Sequence, residues 1–342
     1  MADDRSLDCP DCRDPEGISR RDFVRTLGIG GAALAGGLLP AFGTPRRATA
    51  AAFAGKGPTA TCAAETASKR LFESLSSEQR EAICFPFDHP LRKKINANWA
   101  ITKPTIEDDF TKEQQATIEE IVRGVTSKDG YDRFLKQMED DAGGLGQYHV
   151  ALFGEPGSGK FEFELTGRHV TLRADGDSVE GAAFGGPIVY GHGAGDSEKG
   201  LPGNVFYYQT QKANEVFKAL DGKQREKALI GKAPKEDAVA VQGASGSFPG
   251  LTVGELSGDQ KDLVESVIKV ILAPYREQDV EEAVAILKAG GGLDKLHMAF
   301  YEADDIGKDQ EWDIWRLEGP NFVWHFRGAP HVHAYVNISQ KA

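Results

Sequence analysis

Leu75-Ser76-Ser77-Glu78-Gln79, Phe110-Thr111-Lys112-Glu113-Gln114, Leu220-Asp221-Gly222-Lys223-Gln224 and Leu256-Ser257-Gly258-Asp259-Gln260 repeat one local phrase. Each sets an apolar residue before Ser, Thr or Asp and places Gln three residues after it. The Ser/Thr/Asp oxygen can cap a free helix amide, while Gln at the third helical position reaches back to the cap's own N–H. The phrase predicts helices beginning near Ser77, Lys112, Gly222 and Gly258. The two pairs of caps have nearly the same internal spacing, and apolar strands follow both, which points to an internal duplication. His149-Val150-Ala151-Leu152-Phe153 is answered by His297-Met298-Ala299-Phe300-Tyr301, and Leu165-Thr166-Gly167 by Leu317-Glu318-Gly319. The repeat halves fall at about 70–180 and 215–342.

Working outward, Phe161-Glu162-Phe163-Glu164-Leu165 and Val332-His333-Ala334-Tyr335-Val336 alternate with period two, the mark of a strand. The glycine-rich stretch from Gly181 to Gly203, with Pro187 and Pro202, reads as a long loop, and so does Lys232 to Pro249. Capped helix pairs followed by antiparallel strands give an α+β class. Gly154-Glu155-Pro156-Gly157-Ser158-Gly159-Lys160 nearly spells a phosphate-binding loop. Phe161 stands where the motif needs Ser or Thr, and strand alternation follows where it needs a helix. A hairpin turn is the better reading.

The N-terminal segment carries Ser19-Arg20-Arg21-Asp22-Phe23-Val24, then a Gly/Ala-rich apolar stretch from Leu27 to Phe42, then Ala48-Thr49-Ala50. In order, spacing and residue type it resembles a twin-arginine signal peptide. The resemblance implies recognition by the twin-arginine export machinery, folding before export, cleavage near residue 50, and a mature domain over 51–342 in the periplasm or outside the cell. Glycine dilution, Pro40, Arg46 and Arg47 argue against a retained membrane span, so no stable membrane insertion is expected.

The signal segment holds seven acidic and seven basic residues, so the net charge of −12 stays with the mature chain. An acidic surface argues against nucleic acid and polybasic membrane docking, which leaves a small-molecule substrate as the expected partner. Cys9 and Cys12 lie in the leader. Cys62 and Cys84 could form a disulfide outside the cytoplasm or remain as two separately buried thiols.

The histidines are densest at His325, His331 and His333. On a strand His331 and His333 project to one face with Tyr335 and Asn337, while Val332, Ala334, Val336 and Ile338 point to a core. Two imidazoles one strand repeat apart can reach one metal ion. Whether His325 joins them depends on the parity of the loop after Arg327: an odd length puts it on the same face. A further ligand must come from elsewhere. His169, read on an alternating strand, is the first choice, and His149 and His192 come next.

Gln147-Tyr148-His149-Val150-Ala151-Leu152-Phe153-Gly154-Glu155-Pro156, Gly167-Arg168-His169, Pro330-His331-Val332-His333 and Phe85-Pro86-Phe87-Asp88 stand in an order that resembles the domain of unknown function 3500 family, over roughly Cys84 to Ile338. In that family the middle block is Gly-His-His, and the last is Asn-His-x-His followed by Trp-Arg. Here Arg168 replaces the first histidine of the pair, and Val336-Asn337 stands where Trp-Arg would fall. The resemblance brings no reaction with it.

The residues themselves point to an exported enzyme with one histidine-bound metal ion. Copper is favoured slightly over zinc or iron, and the expected chemistry is of the oxidoreductase type. Glu164 or Glu162 is the candidate general base, and Tyr335 the candidate for orienting a ligand. The alternatives are a zinc-dependent hydrolase and a non-catalytic metal or ligand carrier. The chain has no His-Glu-x-x-His sequence and no Gly-x-Ser-x-Gly elbow, which disfavours two familiar hydrolase designs.

Overall fold

The computed structural model describes residues 57–193, 203–306 and 311–340. The proposed signal segment, 1–50, lies outside them. The class is α+β. The helices, in chain order, are α1 (Ala63–Ser74), α2 (Ser77–Ile83), α3 (Ile106–Asp109), α4 (Lys112–Gly124), α5 (Lys128–Ala142), α6 (Tyr208–Ala219), α7 (Gly222–Ala228), α8 (Gly258–Leu272) and α9 (Glu277–Ala289). The strands are β1 (Cys84–Phe85), β2 (His149–Gly154), β3 (Phe161–Gly167), β4 (Val170–Ala174), β5 (Ile188–His192), β6 (Leu229–Ile230), β7 (Leu251–Thr252), β8 (His297–Tyr301), β9 (Ile314–Gly319), β10 (Phe322–Arg327) and β11 (Val332–Ile338).

All four capping boxes form. Ser76, Thr111, Asp221 and Ser257 each accept from the backbone N–H of the Gln three places on, and each Gln accepts from its cap's N–H. The glutamines also meet in pairs. Gln79 and Gln114 exchange amide bonds of 2.9 and 3.0 Å, and Gln224 and Gln260 exchange bonds of 3.1 and 2.8 Å. Gln114 then holds the carbonyl of Ser74 at the end of α1, and Gln260 that of Ala219 at the end of α6. One residue type thus starts a helix, joins two helix starts and closes the helix before them, in both halves.

One mostly antiparallel sheet runs in the order β1-β2-β3-β4-β5-β11-β10-β9-β8-β6, with β7 beside β8. Read inward from either edge, the order is the same: a short parallel strand, then three antiparallel hairpin partners, then the central strand. Registers match as well, since Leu165↔Leu172 between β3 and β4 is answered by Leu317↔Trp324 between β9 and β10. The halves join where β5 pairs antiparallel with β11.

The helices cover one face, where Val332, Ala334, Val336 and Ile338 enter the main core with Trp315, Trp324 and Tyr190. The other face is not open to water. Loops around Ile95–Ile101 and Val239–Val241 pack over Val189, Val323, Tyr335 and Ala151. The polar side of the strand alternation is therefore buried, and its charges are paired. Arg173 reaches both Glu162 and Glu164, Arg92 reaches Glu162, and Arg316 grips Glu318.

One stretch differs from the sequence reading, and one alternative that the sequence left open is decided. The stretch Gly181–Gly203, expected to be one loop, contains β5, a central strand. Its five residues are buried on both faces, so they show no alternation, and the glycines around them hide the run. Cys84 carries an unpaired thiol, so no Cys62–Cys84 disulfide forms. Burial pushes that thiol up to about 11. The near phosphate-binding loop is a turn between β2 and β3, as its strand pattern implied.

Candidate metal centre

The centre is assembled from both halves at the seam of the sheet. β3 and β4 are joined by a two-residue turn, Arg168-His169, because Gly167 pairs with Val170. His169 is therefore in the turn and not on a strand. It takes a φ of 60°, a conformation uncommon outside glycine. The turn is held from below. Gly167 lets the Tyr148 ring pack so close that a Cβ would meet it at 2.3 Å. Tyr148 Oη and Gln137 Nε2 both donate to the Arg168 carbonyl, at 2.9 and 3.0 Å.

From the other half come His331, just before β11, and His333 within it. Ligand atoms of His169, His331 and His333 all lie within 4.8 Å of one another. His169 donates through Nδ1 to Asp141 Oδ2 at 2.7 Å, which turns its Nε2 to the centre. His333 likewise faces Glu236 Oε2 through Nδ1 at 2.8 Å, and its Nε2 lies 3.0 Å from His331 Nε2. Arg327 Nη2 is 2.9 Å from His333 Nδ1 and 3.2 Å from His331 Nε2. A carboxylate only accepts, so the Nδ1 proton of His333 belongs to Glu236 and the Nε2 of that ring is bare. Nitrogens about 2.0–2.1 Å from a tetrahedral ion stand about 3.3 Å apart, close to the 3.0 Å between the two Nε2 atoms.

The carboxylates are themselves anchored. Burial opposes the charge on Asp141, but hydrogen bonds from His169 and Gln137 outweigh it and hold the carboxyl below its usual range. Gly193 adds its N–H at 2.8 Å and leaves room for it, since a Cβ there would sit 2.6 Å from Asp141 Oδ1. Burial likewise opposes the charge on Glu236, yet His333 and Arg327 keep its carboxyl low. Burial drives His333 down to about 4, against the pull of Glu236, so its ring is neutral near pH 7.

The remaining candidates lie elsewhere. Arg327 pairs with His333, leaving residues 328–332 in the loop, an odd number that puts His325 on the His333 face. It sits opposite Tyr335, two residues further along and so about 6.6 Å away, and is not part of the cluster. His149 Nδ1 bonds the Pro104 carbonyl at 2.9 Å, and His192 is held between Asp140 and the Val205 N–H. Glu164 is fully buried against Arg173, and desolvation raises its carboxyl well above the usual range. Tyr335 Oη accepts from the Ala97 N–H at 3.0 Å and so pins the covering loop. Asp141, Glu236 and Arg327 carried no sequence signal of their own, although Glu236 falls in a loop flagged for its length.

A family model described as "Protein of unknown function (DUF3500)" matches residues 58–338, a span that includes all three histidines. The chain belongs to the DUF3500 family. No curated protein and no solved structure matches it. Among the described residues of this DUF3500 member, no helix is long and apolar enough to cross a membrane.

Proposed function

We propose that this DUF3500 protein holds one metal ion through Nε2 of His169, His331 and His333, and that it is an exported metal-dependent oxidoreductase using copper, with iron second. The three converging imidazoles, two of them braced by carboxylates, carry the reading. Both nearby carboxylates bond the outer ring nitrogens, so the donor set is all imidazole. That suits copper better than the two-histidine, one-carboxylate pattern of iron oxygenases.

With three ligands and a position left open, copper or iron would supply one-electron and dioxygen chemistry, whereas zinc would activate water. The chain's own residues hold the rings at fixed tautomers, keep positive charge beside the centre through Arg327, and exclude water below it through Tyr148 and Gln137. The export reading is supported by residues 1–50 of the sequence alone.

Metal analysis of untagged protein tests the assignment. About one copper or iron per chain supports it, and zinc at that ratio transfers the reading to a hydrolase. No metal, even after reconstitution, overturns it.

A further inference from the structure

We propose that the cavity beside the histidine centre binds a small molecule through a single carboxylate group and serves as the substrate pocket of that centre. The second half of this statement rests on the metal reading; the carboxylate site does not. The cavity measures about 450 Å³ and is lined in part by Lys235, Glu236, Asp304, His325 and Arg327.

Its polar groups are unbalanced. His325 is only 1% exposed, and its Nδ1 has no partner. Arg327 Nε is likewise buried without an acceptor. Glu236 bonds Arg327 Nη1 at 3.0 Å and His333 Nδ1 at 2.8 Å, and neither of its oxygens reaches these other groups. A buried guanidinium N–H without an acceptor is costly, and an anionic oxygen answers it with a charge-assisted bond. The Lys235 ammonium, on an exposed residue at the rim, adds to that pull.

The acidic residues of the same lining narrow the class of anion. Asp304 and Asp305 line the same space and repel a doubly charged phosphate. They suit a monoanion that also carries a hydrogen-bond donor. Arg327 and Glu236 also belong to the histidine centre, so a carboxylate here lies one residue from the metal ligands.

The test is calorimetric titration of the full chain, stripped of metal by chelation, with 4-hydroxybenzoate, neutral 4-hydroxybenzamide and inorganic phosphate. The benzoate binds one to one, and the amide and phosphate bind at least about tenfold more weakly. His325→Leu and Lys235→Met each weaken the benzoate about fivefold or more, and Lys235→Met, on an exposed side chain, leaves folding untouched. Equal binding of the amide, wild-type affinity in both variants, or no binding of the benzoate overturns the carboxylate site. In copper-loaded protein the benzoate shifts the electron paramagnetic resonance spectrum, and an unchanged spectrum at saturating ligand overturns the substrate-pocket role. If no metal binds, the metal reading fails and the titration of metal-free protein still decides the carboxylate site.

Discussion

The two halves of the sheet differ most at one hairpin. Between β3 and β4 the first half carries Arg168-His169, whereas between β9 and β10 the second carries Pro320-Asn321 at the same place. Asn321 reaches back to the Ile286 carbonyl of a helix, while His169 faces the seam. The strand that follows diverges too: Arg173 neutralises Glu164 in one half, and His325 stands opposite Arg316 in the other. The shared topology supplies a frame, and substitutions at matching positions give each half its chemistry. The first half seals its polar face with ion pairs. The second leaves donors unanswered beside a cavity.

Removing a ligand should have the largest effect. His169→Ala, His331→Ala or His333→Ala is expected to cut metal affinity by more than about 100-fold, while Asn321→Ala at the matching turn leaves it unchanged. Elemental analysis of the purified variants reads both, and retained metal in the histidine variants breaks the contrast between the turns.

Next comes the matching position at the end of these strands, Asp175 directly after β4 in one half and Arg327 closing β10 in the other. Burial raises Asp175 to about 7, helped by repulsion from Glu162 and opposed by the Val179 N–H. Its contribution to stability is therefore complete below the unfolded value near 3.9 and is lost as pH rises through about 7. Asp175→Asn should remove that loss and stabilise the chain at pH 8 by a few kcal/mol, on the order of three pKa units. Denaturant melts at pH 4 and pH 8 measure it; parallel curves for the two proteins would show that Asp175 is not strained.

The bracing carboxylates come third. Asp141→Asn and Glu236→Gln should each weaken metal binding about 10- to 100-fold, with Asp140→Asn, whose carboxylate serves His192, as the neutral control. Chelator competition gives the affinities, and equal losses at Asp140 and Asp141 would dissolve the distinction between them. The smallest effect tests likeness instead of difference. Gln114→Ala and Gln260→Ala should each cost about 1 kcal/mol without altering metal content, because both remove a reach-back bond and a helix junction. A cost in only one half would mean that the caps are not equivalent.

What could be read from the chain followed from how local its causes are. A capping box is decided within four residues, so all four helix starts were legible. The alternation around His333 is equally local, and it separated the core side from the histidine side correctly. His169 was legible as a ligand candidate but not in its conformation, because a two-residue turn looks like continued strand until the partner register is known. The face of His325 depended on loop parity, and β5 on contacts with a strand far away in the chain. Asp141 lies on a helix end, where an acidic residue reads as solvated surface.

β11 is the last strand in chain order, yet it lies in the middle of the sheet, between β5 and β10. The two halves of the sheet are therefore joined through the pairing of that strand with β5. The same pairing places His331 and His333 beside His169. An ion held by all three rings would therefore clasp the two halves together across that seam.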